Sequence, residues 1–401
     1  NFVVLNSARI ATDLLEKRSR VYSDRLSPLI LNWSGNPILL RYGDLWRNHR
    51  RMSNNWLNSR AVTQFHQLQE YQARRMLHRL INVLDDPSPF EQVKRALNTA
   101  SSTLRLAFGY KLQGDDDQVL HNINQTTHYT ARAAMFTNFL VNIFPSLTHI
   151  PYWFPGTGWK RTAREWRAFK DHAQSIPYEW TKAQLAAGTA EPSILNFLLQ
   201  DHDLTSGSSA QEKESCFKEL ASMITATALV SFVAAMVLNP HIQAKAQKEI
   251  DGVLGPTSLP TIADRERLSY VRNLIQEVLR WQPPVPTGVP HACWEDDVYQ
   301  GYHIERGTVV IGNVWAMTRD ESVYIDPEVF DPDRFLDLTV PYAPAFGWGR
   351  RKCAGIHFAE ASLFITVASL LATFRFSKKK DSDGQEITPQ LEVVSTRLSC
   401  K

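Results

Sequence analysis

The chain has 401 residues, of which 43% are apolar, including 11 tryptophans and 19 phenylalanines. This composition supplies ample material for a hydrophobic core and argues against a disordered protein. The formal charge of +3, the balance of 44 basic and 41 acidic residues, argues against a nucleic-acid partner. The cysteines stand far apart without a Cys-x-x-Cys pair, which argues against a disulfide scaffold or a zinc site and indicates a reducing compartment; they are Cys216, Cys293, Cys353 and Cys400.

The first residues are typical of the interior of a domain. A strand pattern over residues 2–5 leads at once into a helix pattern over 8–18, and no initiator methionine precedes them. We therefore expect an N-terminal segment to precede this sequence. No run of about 20 apolar residues occurs, so no membrane span is predicted within the sequence itself, and a membrane anchor would belong to the preceding segment.

An irregular stretch over residues 26–40 is followed by a basic helix that contains Trp46 and Arg50. These two residues lie four apart, on one face of the helix. An indole N–H and a guanidinium can together hold a carboxylate. The same pattern is equally typical of a solvated basic helix start.

Residues 62–200 show one helix pattern after another, with breaks at 85–89, 114–117 and 145–158. The last break carries Tyr152, Trp153, Phe154 and Trp159 beside Lys160. Exposed aromatic side chains next to a lysine suit a membrane–water interface. An aromatic cluster that caps the core is the alternative.

One long helix is predicted over residues 211–238, because the apolar pattern ends at Asn239-Pro240. A later helix places Glu277 and Arg280 three residues apart, where they can pair. Residues 283–290 are extended because proline forbids helix there. Residues 301–304 and 308–311 alternate like two strands that pair around an Arg306-Gly307 turn.

Residues 346–355 place Cys353 in a glycine-rich, cationic loop directly before an apolar helix over 356–374. The glycines allow tight turns and close approach of the backbone to a flat group. Backbone N–H groups, the helix N-terminus and the arginines favour a thiolate, which can act as a nucleophile or a metal ligand. The alternative is a buried cysteine in a basic surface loop.

The pattern of this loop resembles the haem-binding signature of the cytochrome P450 family, Phe-x-x-Gly-x-Arg-x-Cys-x-Gly, at every fixed position: Phe346, Gly349, Arg351, Cys353 and Gly355. Three further elements precede this loop in the same order as in the family. They are Trp-x-x-x-Arg (Trp46 and Arg50), Glu-x-x-Arg (Glu277 and Arg280) and a single arginine, Arg334. The resemblance therefore covers essentially the whole chain and is strongest to fungal microsomal members. It implies a mainly α fold with small β-sheets, a single domain over residues 1–401, whose N-terminal part is expected to be absent.

The resemblance also implies a role for each matching residue. Cys353 would be the protein ligand of a heme b iron, within a ligand loop at 346–355 that includes Phe346 and Gly355. The haem propionates would be held by Arg351, Trp46, Arg50 and His291. A structural charge network would join Glu277, Arg280 and Arg334.

In the family, the central helix, here residues 209–239, crosses the haem face and usually carries an acid–alcohol pair that relays protons to dioxygen. One alignment places these positions on Met223 and Ile224, and another requires several residues to be missing before Thr227. Thr225 and Thr227 are the hydroxyls placed to substitute for the pair. Helix threonines more often bond back to the preceding turn.

The function implied is a monooxygenase that inserts one oxygen atom from O2 into a hydrophobic small molecule, such as a terpenoid or another secondary metabolite. Electrons would come from NADPH through a cytochrome P450 reductase that docks near Arg350 and Lys352. Two exposed cations are equally typical of an ordinary solvated surface. The alternatives are a haem-thiolate isomerase, dehydratase or peroxide-dependent enzyme, and a non-catalytic haem or ligand-binding protein. The expected substrate pocket includes Ala221, Ile224, Val285, Thr287 and Val289.

The same resemblance implies a location and an assembly state. We expect the protein at the cytoplasmic face of the endoplasmic reticulum membrane, with peripheral membrane contact through the aromatic loop. We also expect it to be a monomer.

Overall fold

Helices make up most of the fold, and small sheets accompany them, as predicted. The computed structural model describes residues 1–25, 37–81, 104–105, 107–114, 117–134, 138–200, 225–381, 383–389, 391–394 and 397–400. The chain forms two compact units. The first consists of Asn1–Ser23, Leu57–Thr99 and Ile224–Lys401, and the second of Asp24–Trp56 and Ala100–Met223.

The α-helices within the described residues are, in chain order, α1 (Ala8–Ala11), α2 (Asp44–Leu57), α3 (His66–Ile81), α4 (Gln118–Ala134), α5 (Leu140–Ile143), α6 (Gly158–Ala186), α7 (Ile194–Gln200), α8 (Thr225–Leu238), α9 (Pro240–Leu254), α10 (Ser269–Trp281), α11 (Val314–Met317) and α12 (Ile356–Thr373). A π-helical segment, Thr12–Lys17, continues α1. Short 3₁₀ segments lie at Ala61–Phe65, Pro145–His149, Ile262–Glu266, Pro332–Leu336 and Gly349–Arg351.

The boundaries of the helices follow local chemistry. Pro240 occupies the start of α9, where its missing N–H is not needed, so α8 ends at Leu238 as predicted. The part of the predicted central helix that precedes residue 225 lies outside the described residues. The carboxylate of Glu249, on α9, accepts hydrogen bonds from the backbone N–H groups of Tyr270 and Val271 at 2.8 and 3.0 Å, and it thereby caps the start of α10.

The strands are short: β1 (Phe2–Leu5), β2 (His291–Ala292), β3 (Asp297–Tyr299), β4 (Tyr302–Ile304), β5 (Val309–Gly312), β6 (Lys379–Lys380), β7 (Glu386–Ile387), β8 (Leu391–Val394) and β9 (Arg397–Cys400). β5 is the centre of a three-stranded sheet, parallel to β1 and antiparallel to β2. The other strands pair antiparallel as β3–β4, β6–β7 and β8–β9.

The predicted pairing of residues 301–304 with 308–311 is wrong. Gln300 and Gly301 both have positive φ, at 51° and 84°, which gives the two-residue turn of a tight hairpin. β4 therefore pairs antiparallel with β3, the strand that precedes it in the chain. β5 pairs instead with β1, from the other end of the chain, and alternation within one stretch cannot reveal such a partner.

The core of the first unit surrounds α12. This helix is apolar on all sides, a composition typical of a buried helix. It packs with α3, α8, α9 and α10 in a cluster that contains Leu77, Phe232, Leu274 and Phe364. Within the described residues α12 is the one helix long and apolar enough to cross a membrane, and 72% of it is buried in the fold, as expected of a core helix.

The core of the second unit joins α4 and α6. Tyr129 stacks on Trp166, with ring centroids 4.8 Å apart and an interplanar angle of 10°. Phe139 meets the same indole edge-on at 5.7 Å. Thr181, buried on α6, donates a hydrogen bond to Phe108 O at 2.6 Å. These contacts hold α6 in place after the predicted break before residue 158.

Candidate functional site

A backbone hydrogen bond joins the two ends of the loop that carries Cys353. The backbone N–H of Cys353 donates to Phe346 O at 2.9 Å, and that of Gly347 donates to Pro344 O at 3.0 Å. Gly347 and Gly349 adopt positive φ, at 73° and 50°, a conformation that glycine adopts without strain. The loop then leads directly into α12. Its backbone therefore fixes where the thiol stands.

Two glycines allow the loop to pack closely against the rest of the first unit. A Cβ on Gly349 would lie 2.5 Å from Leu15 O, and a Cβ on Gly312 would lie 2.5 Å from the ring of Trp348. Trp348 is buried in a cluster with Leu15 and Tyr22. The loop is thus anchored through Trp348, a position at which the family signature allows any residue.

The structure describes the side chains of two cysteines, and they differ in chemistry. Cys293 is buried, its Sγ donates to Glu295 O at 2.8 Å, and burial raises the pKa of its thiol to about 11. It therefore remains a neutral thiol at ordinary pH. Cys353 is half-buried at the end of the glycine loop. Of the two, Cys353 has the setting of a metal ligand.

The donor set around Cys353 fits haem. Among the described residues, no group of three or more His, Cys, Asp or Glu side chains could hold a metal ion. A single thiolate can retain a metal when a macrocycle supplies the other ligands, as haem does. A Cβ on Gly355 would meet no described atom within 4 Å, so no described atom packs against the loop backbone at that position. Phe346 packs against the core at the other end of the loop.

Two predicted propionate contacts each bond to a backbone carbonyl, and the two carbonyls belong to consecutive residues. Arg351 Nε donates to Ser23 O at 2.8 Å. His291 Nδ1 lies 2.7 Å from Tyr22 O, and because a carbonyl can only accept, Nδ1 carries a proton. His291 and Arg351 are far apart in the sequence, and no sequence pattern pointed to Tyr22 and Ser23 as their common support.

The other two predicted propionate contacts lie in the second unit, one turn apart on α2. Trp46 is buried and Arg50 is half-buried. Asp24 accepts hydrogen bonds from Arg41 Nη2 at 2.8 Å and from the backbone N–H of Tyr42 at 2.7 Å. This buried carboxylate fixes the chain just before α2 begins.

The predicted charge network is present as direct contacts. Glu277 and Arg280 are fully buried and form a bidentate pair, with both N···O distances at 2.7 Å. Arg334 Nε lies 3.1 Å from both carboxylate oxygens of Glu277. The backbone N–H of Asp331 donates to the same carboxylate at 2.9 Å. A single buried acid thus joins α10 to the segment before the cysteine loop.

The remaining donors of the two arginines are also satisfied. Arg280 Nη1 donates to Thr318 O at 2.9 Å and to Pro327 O at 2.7 Å, and Arg334 Nη1 donates to Ile325 O at 2.8 Å. Buried charges are tolerated when they are both paired and hydrogen-bonded, and this network meets both conditions.

The structure describes some of the residues predicted for the substrate pocket and the proton relay, and others lie outside the described residues. Ala221 and Ile224 lie outside the described residues. The backbones of Thr225 and Thr227 are helical and belong to α8, and the structure does not describe their side chains. Val285, Thr287 and Val289 lie in the segment at residues 283–290, and the prediction that this segment is extended is wrong. The backbone N–H of Gly288 donates to Val285 O at 3.0 Å, which closes a turn over Pro286 and Thr287, and Gly288 supplies the positive φ that the turn requires.

The comparisons with known proteins agree on one family. The cytochrome P450 family model matches residues 1–400. A cytochrome P450 monooxygenase of Armillaria gallica is 35% identical, covering 99% of this chain and 80% of the relative. Cytochrome P450 monooxygenase claR of Ampulloclitocybe clavipes is 36% identical over 100% of this chain and 76% of its own. Cytochrome P450 monooxygenase 208 of Postia placenta is 35% identical, with coverages of 100% and 79%.

A solved structure supports the fold across the whole chain. A zebrafish cytochrome P450 determined with progesterone superposes with a TM-score of 0.80 at 22% identity, covering 100% of this chain and 92% of its own. This likeness confirms the predicted mainly α, single-domain architecture. Together with the family match and the fungal relatives, it establishes that the chain belongs to the cytochrome P450 family of haem-thiolate monooxygenases.

Proposed function

We propose that this monooxygenase inserts one oxygen atom from O2 into a hydrophobic small molecule, such as a terpenoid or another secondary metabolite, and that Cys353 is the protein ligand of its haem iron. The closed glycine loop around Cys353 carries the proposal. When bound, haem with a thiolate ligand activates dioxygen, because the thiolate pushes electron density toward O–O cleavage.

The chain's own residues bind and orient the cofactor. Phe346 and Gly355 bound the loop that presents the thiolate. Arg351, His291, Trp46 and Arg50 hold the propionates, and the carbonyls of Tyr22 and Ser23 support two of them. The pairing of guanidinium groups with carboxylates is the strong form of such contacts.

The remaining residues serve substrate and protons. Val285, Thr287 and Val289, with Ala221 and Ile224, line the substrate pocket, and their mostly apolar character selects a hydrophobic molecule. The hydroxyls of Thr225 and Thr227 pass protons to dioxygen in place of the usual acid–alcohol pair. The place of both residues in the predicted central helix supports this assignment.

Electrons come from NADPH through a cytochrome P450 reductase. Arg350 and Lys352 are exposed beside Cys353 in sequence, and they offer positive charge to an acidic partner. The protein works as a monomer at the cytoplasmic face of the endoplasmic reticulum. The exposed aromatic side chains of residues 152–154 support peripheral membrane contact.

The ligand assignment is tested with Cys353→Ser and the matched control Cys293→Ser. We expect Cys353→Ser to lose the red-shifted Soret band of the reduced carbon monoxide complex, because serine does not supply the thiolate. Cys293→Ser should keep it, since its hydroxyl can still donate to Glu295 O. Retention of the band in Cys353→Ser would end the haem-thiolate assignment.

The reaction class is tested with the purified enzyme, the reductase, NADPH and a panel of cyclic terpenes under 18O2. We expect oxygenated products that carry one 18O atom and that depend on the reductase. Products that form without the reductase, or without 18O, would instead support an isomerase, dehydratase or peroxide-dependent enzyme. Haem spectral shifts without any product would support a binding protein.

A further inference from the structure

Arg319 follows the end of α11, and its guanidinium lies over the ring of Trp315, which belongs to that helix. Its guanidinium carbon is 3.2 Å from the centroid of the Trp315 ring, and its side chain is 11% exposed. Nη2 donates to Trp281 O at 2.8 Å, at the C-terminus of α10, and Nη1 donates to Thr318 Oγ1 at 3.1 Å. Stacking and carbonyl contacts of this kind require the planar fork of arginine.

The ion-pair partner of Arg319 is largely exposed to solvent. Its acidic partner is Glu328, whose side chain is 75% exposed and lies 3.2 Å from Nε. Burial lowers the pKa of Arg319, Glu328 opposes that effect, and the nearby Arg280 adds to it. Because an exposed partner contributes little to an ion pair, the stack on Trp315 and the hydrogen bonds to Trp281 O and Thr318 Oγ1 account for the position of this arginine.

Trp315 in turn contacts the proline-rich segment at residues 283–290. The backbone N–H of Trp315 donates to Pro286 O at 2.8 Å. On its other side the segment approaches β5 closely, since a Cβ on Gly288 would lie 3.3 Å from Gly312 O. The segment is therefore fixed between two supports, and a displacement of Trp315 would be transmitted to it.

We propose that Arg319 is a positioning residue for the substrate pocket, because its stack on Trp315 sets the position of the segment that carries Val285, Thr287 and Val289. This inference rests on the proposed function, in which those three residues line the pocket. Arg319 does not touch the substrate. Its effect is on the size of apolar molecule that the pocket accepts.

The test compares two probes that bind haem through the same imidazole nitrogen, imidazole and the bulkier 4-phenylimidazole. Their dissociation constants are measured by optical titration for the wild type, Arg319→Ala, Arg319→Lys and Trp315→Phe. We expect the ratio of the two constants to change about tenfold in both Arg319 variants, as when the fit of a pocket alters by about one methylene group. Lysine should not rescue the ratio, because it lacks the planar group that stacks.

Glu328→Gln is the matched control, since it alters the charge beside Arg319 and leaves the stack in place. Its ratio should stay within about twofold of the wild type, because exposed ion pairs contribute little. An equal change in Glu328→Gln would overturn the role of the stack. An unchanged ratio in Arg319 variants that bind haem fully would overturn the proposal.

A second measurement does not depend on haem. Hydrogen exchange at the Trp315 amide reports its bond to Pro286 O, and we expect faster exchange in Arg319→Lys. Exchange at the wild-type rate would overturn the proposal even where a variant binds no haem. A wild-type protein that lacks the red-shifted carbon monoxide band would contradict the proposed function instead, whatever the exchange rate is.

Discussion

Glu277 shows how much one buried side chain can depend on its partners. Its carboxylate accepts bonds from Arg280, Arg334 and the backbone of Asp331, all within 3.1 Å. Since neither Glu277 nor Arg280 is exposed to solvent, water cannot replace a lost partner. The cost of removing the acid is therefore the cost of burying positive charge without compensation.

We expect Glu277→Gln to lose most of its bound haem and about 3–5 kcal/mol of stability, the usual cost of breaking a buried charge network. Haem content and thermal unfolding measure the two effects. Glu266→Gln is the matched control, because Glu266 pairs with Arg272 at the surface with its side chain 78% exposed. Full haem content in Glu277→Gln would show that the network does not support the cysteine loop.

At the scale of elements, the position of the cysteine loop depends on the sheet behind it. Trp348 leaves the loop and packs into the cluster formed around β1 and β5. Gly312, at the end of β5, leaves room for the ring of Trp348. The small sheet therefore supports the ligand loop through Trp348, and its strand β2 carries His291.

We expect Gly312→Ala to weaken haem binding and to lower the thermal unfolding temperature, because the added methyl group would displace Trp348. Overpacking of this kind costs about 1–3 kcal/mol. Gly252→Ala, inside α9, is the matched control, since a Cβ there meets no described atom within 4 Å and alanine favours a helix. Haem affinity that is equal in the two variants would mean that the loop does not depend on Trp348.

At the scale of the whole molecule, the described residues of the second unit expose apolar side chains on the loop at residues 152–154 and, before it, at Leu140 and Phe144. Tyr152 and Trp153 are 63% and 81% exposed. Lys160 Nζ lies 4.8 Å from the centroid of the Tyr152 ring, and Arg164 lies at the same distance. Aromatic rings flanked by cations are typical of a surface that meets a membrane interface.

We expect Trp153→Ala to bind phosphatidylcholine–phosphatidylserine vesicles about tenfold more weakly, because a large apolar side chain loses its burial in the interface. Tyr302→Ala is the control, since Tyr302 is 76% exposed on the hairpin of the first unit and should not alter binding. Vesicle flotation measures both. Equal losses in the two variants would exclude a specific role for the aromatic loop.

The sequence by itself determined the features that depend on local constraints. Glycines and a cysteine in the fixed pattern at residues 346–355 predicted the loop. The three-residue spacing placed Glu277 beside Arg280, and Asn239-Pro240 ended α8. In each of these cases a backbone restriction or a helical period acts within a few residues, so the pattern is visible in the chain.

Tertiary structure alone decided the contacts between distant segments. It paired β5 with β1 rather than with β4, placed His291 and Arg351 on the carbonyls of Tyr22 and Ser23, and bonded the backbone N–H of Trp315 to Pro286 O. Each of these arrangements depends on how separate elements pack. Hydrophobic burial, which drives that packing, is non-directional, so the sequence pattern does not specify which side chains meet.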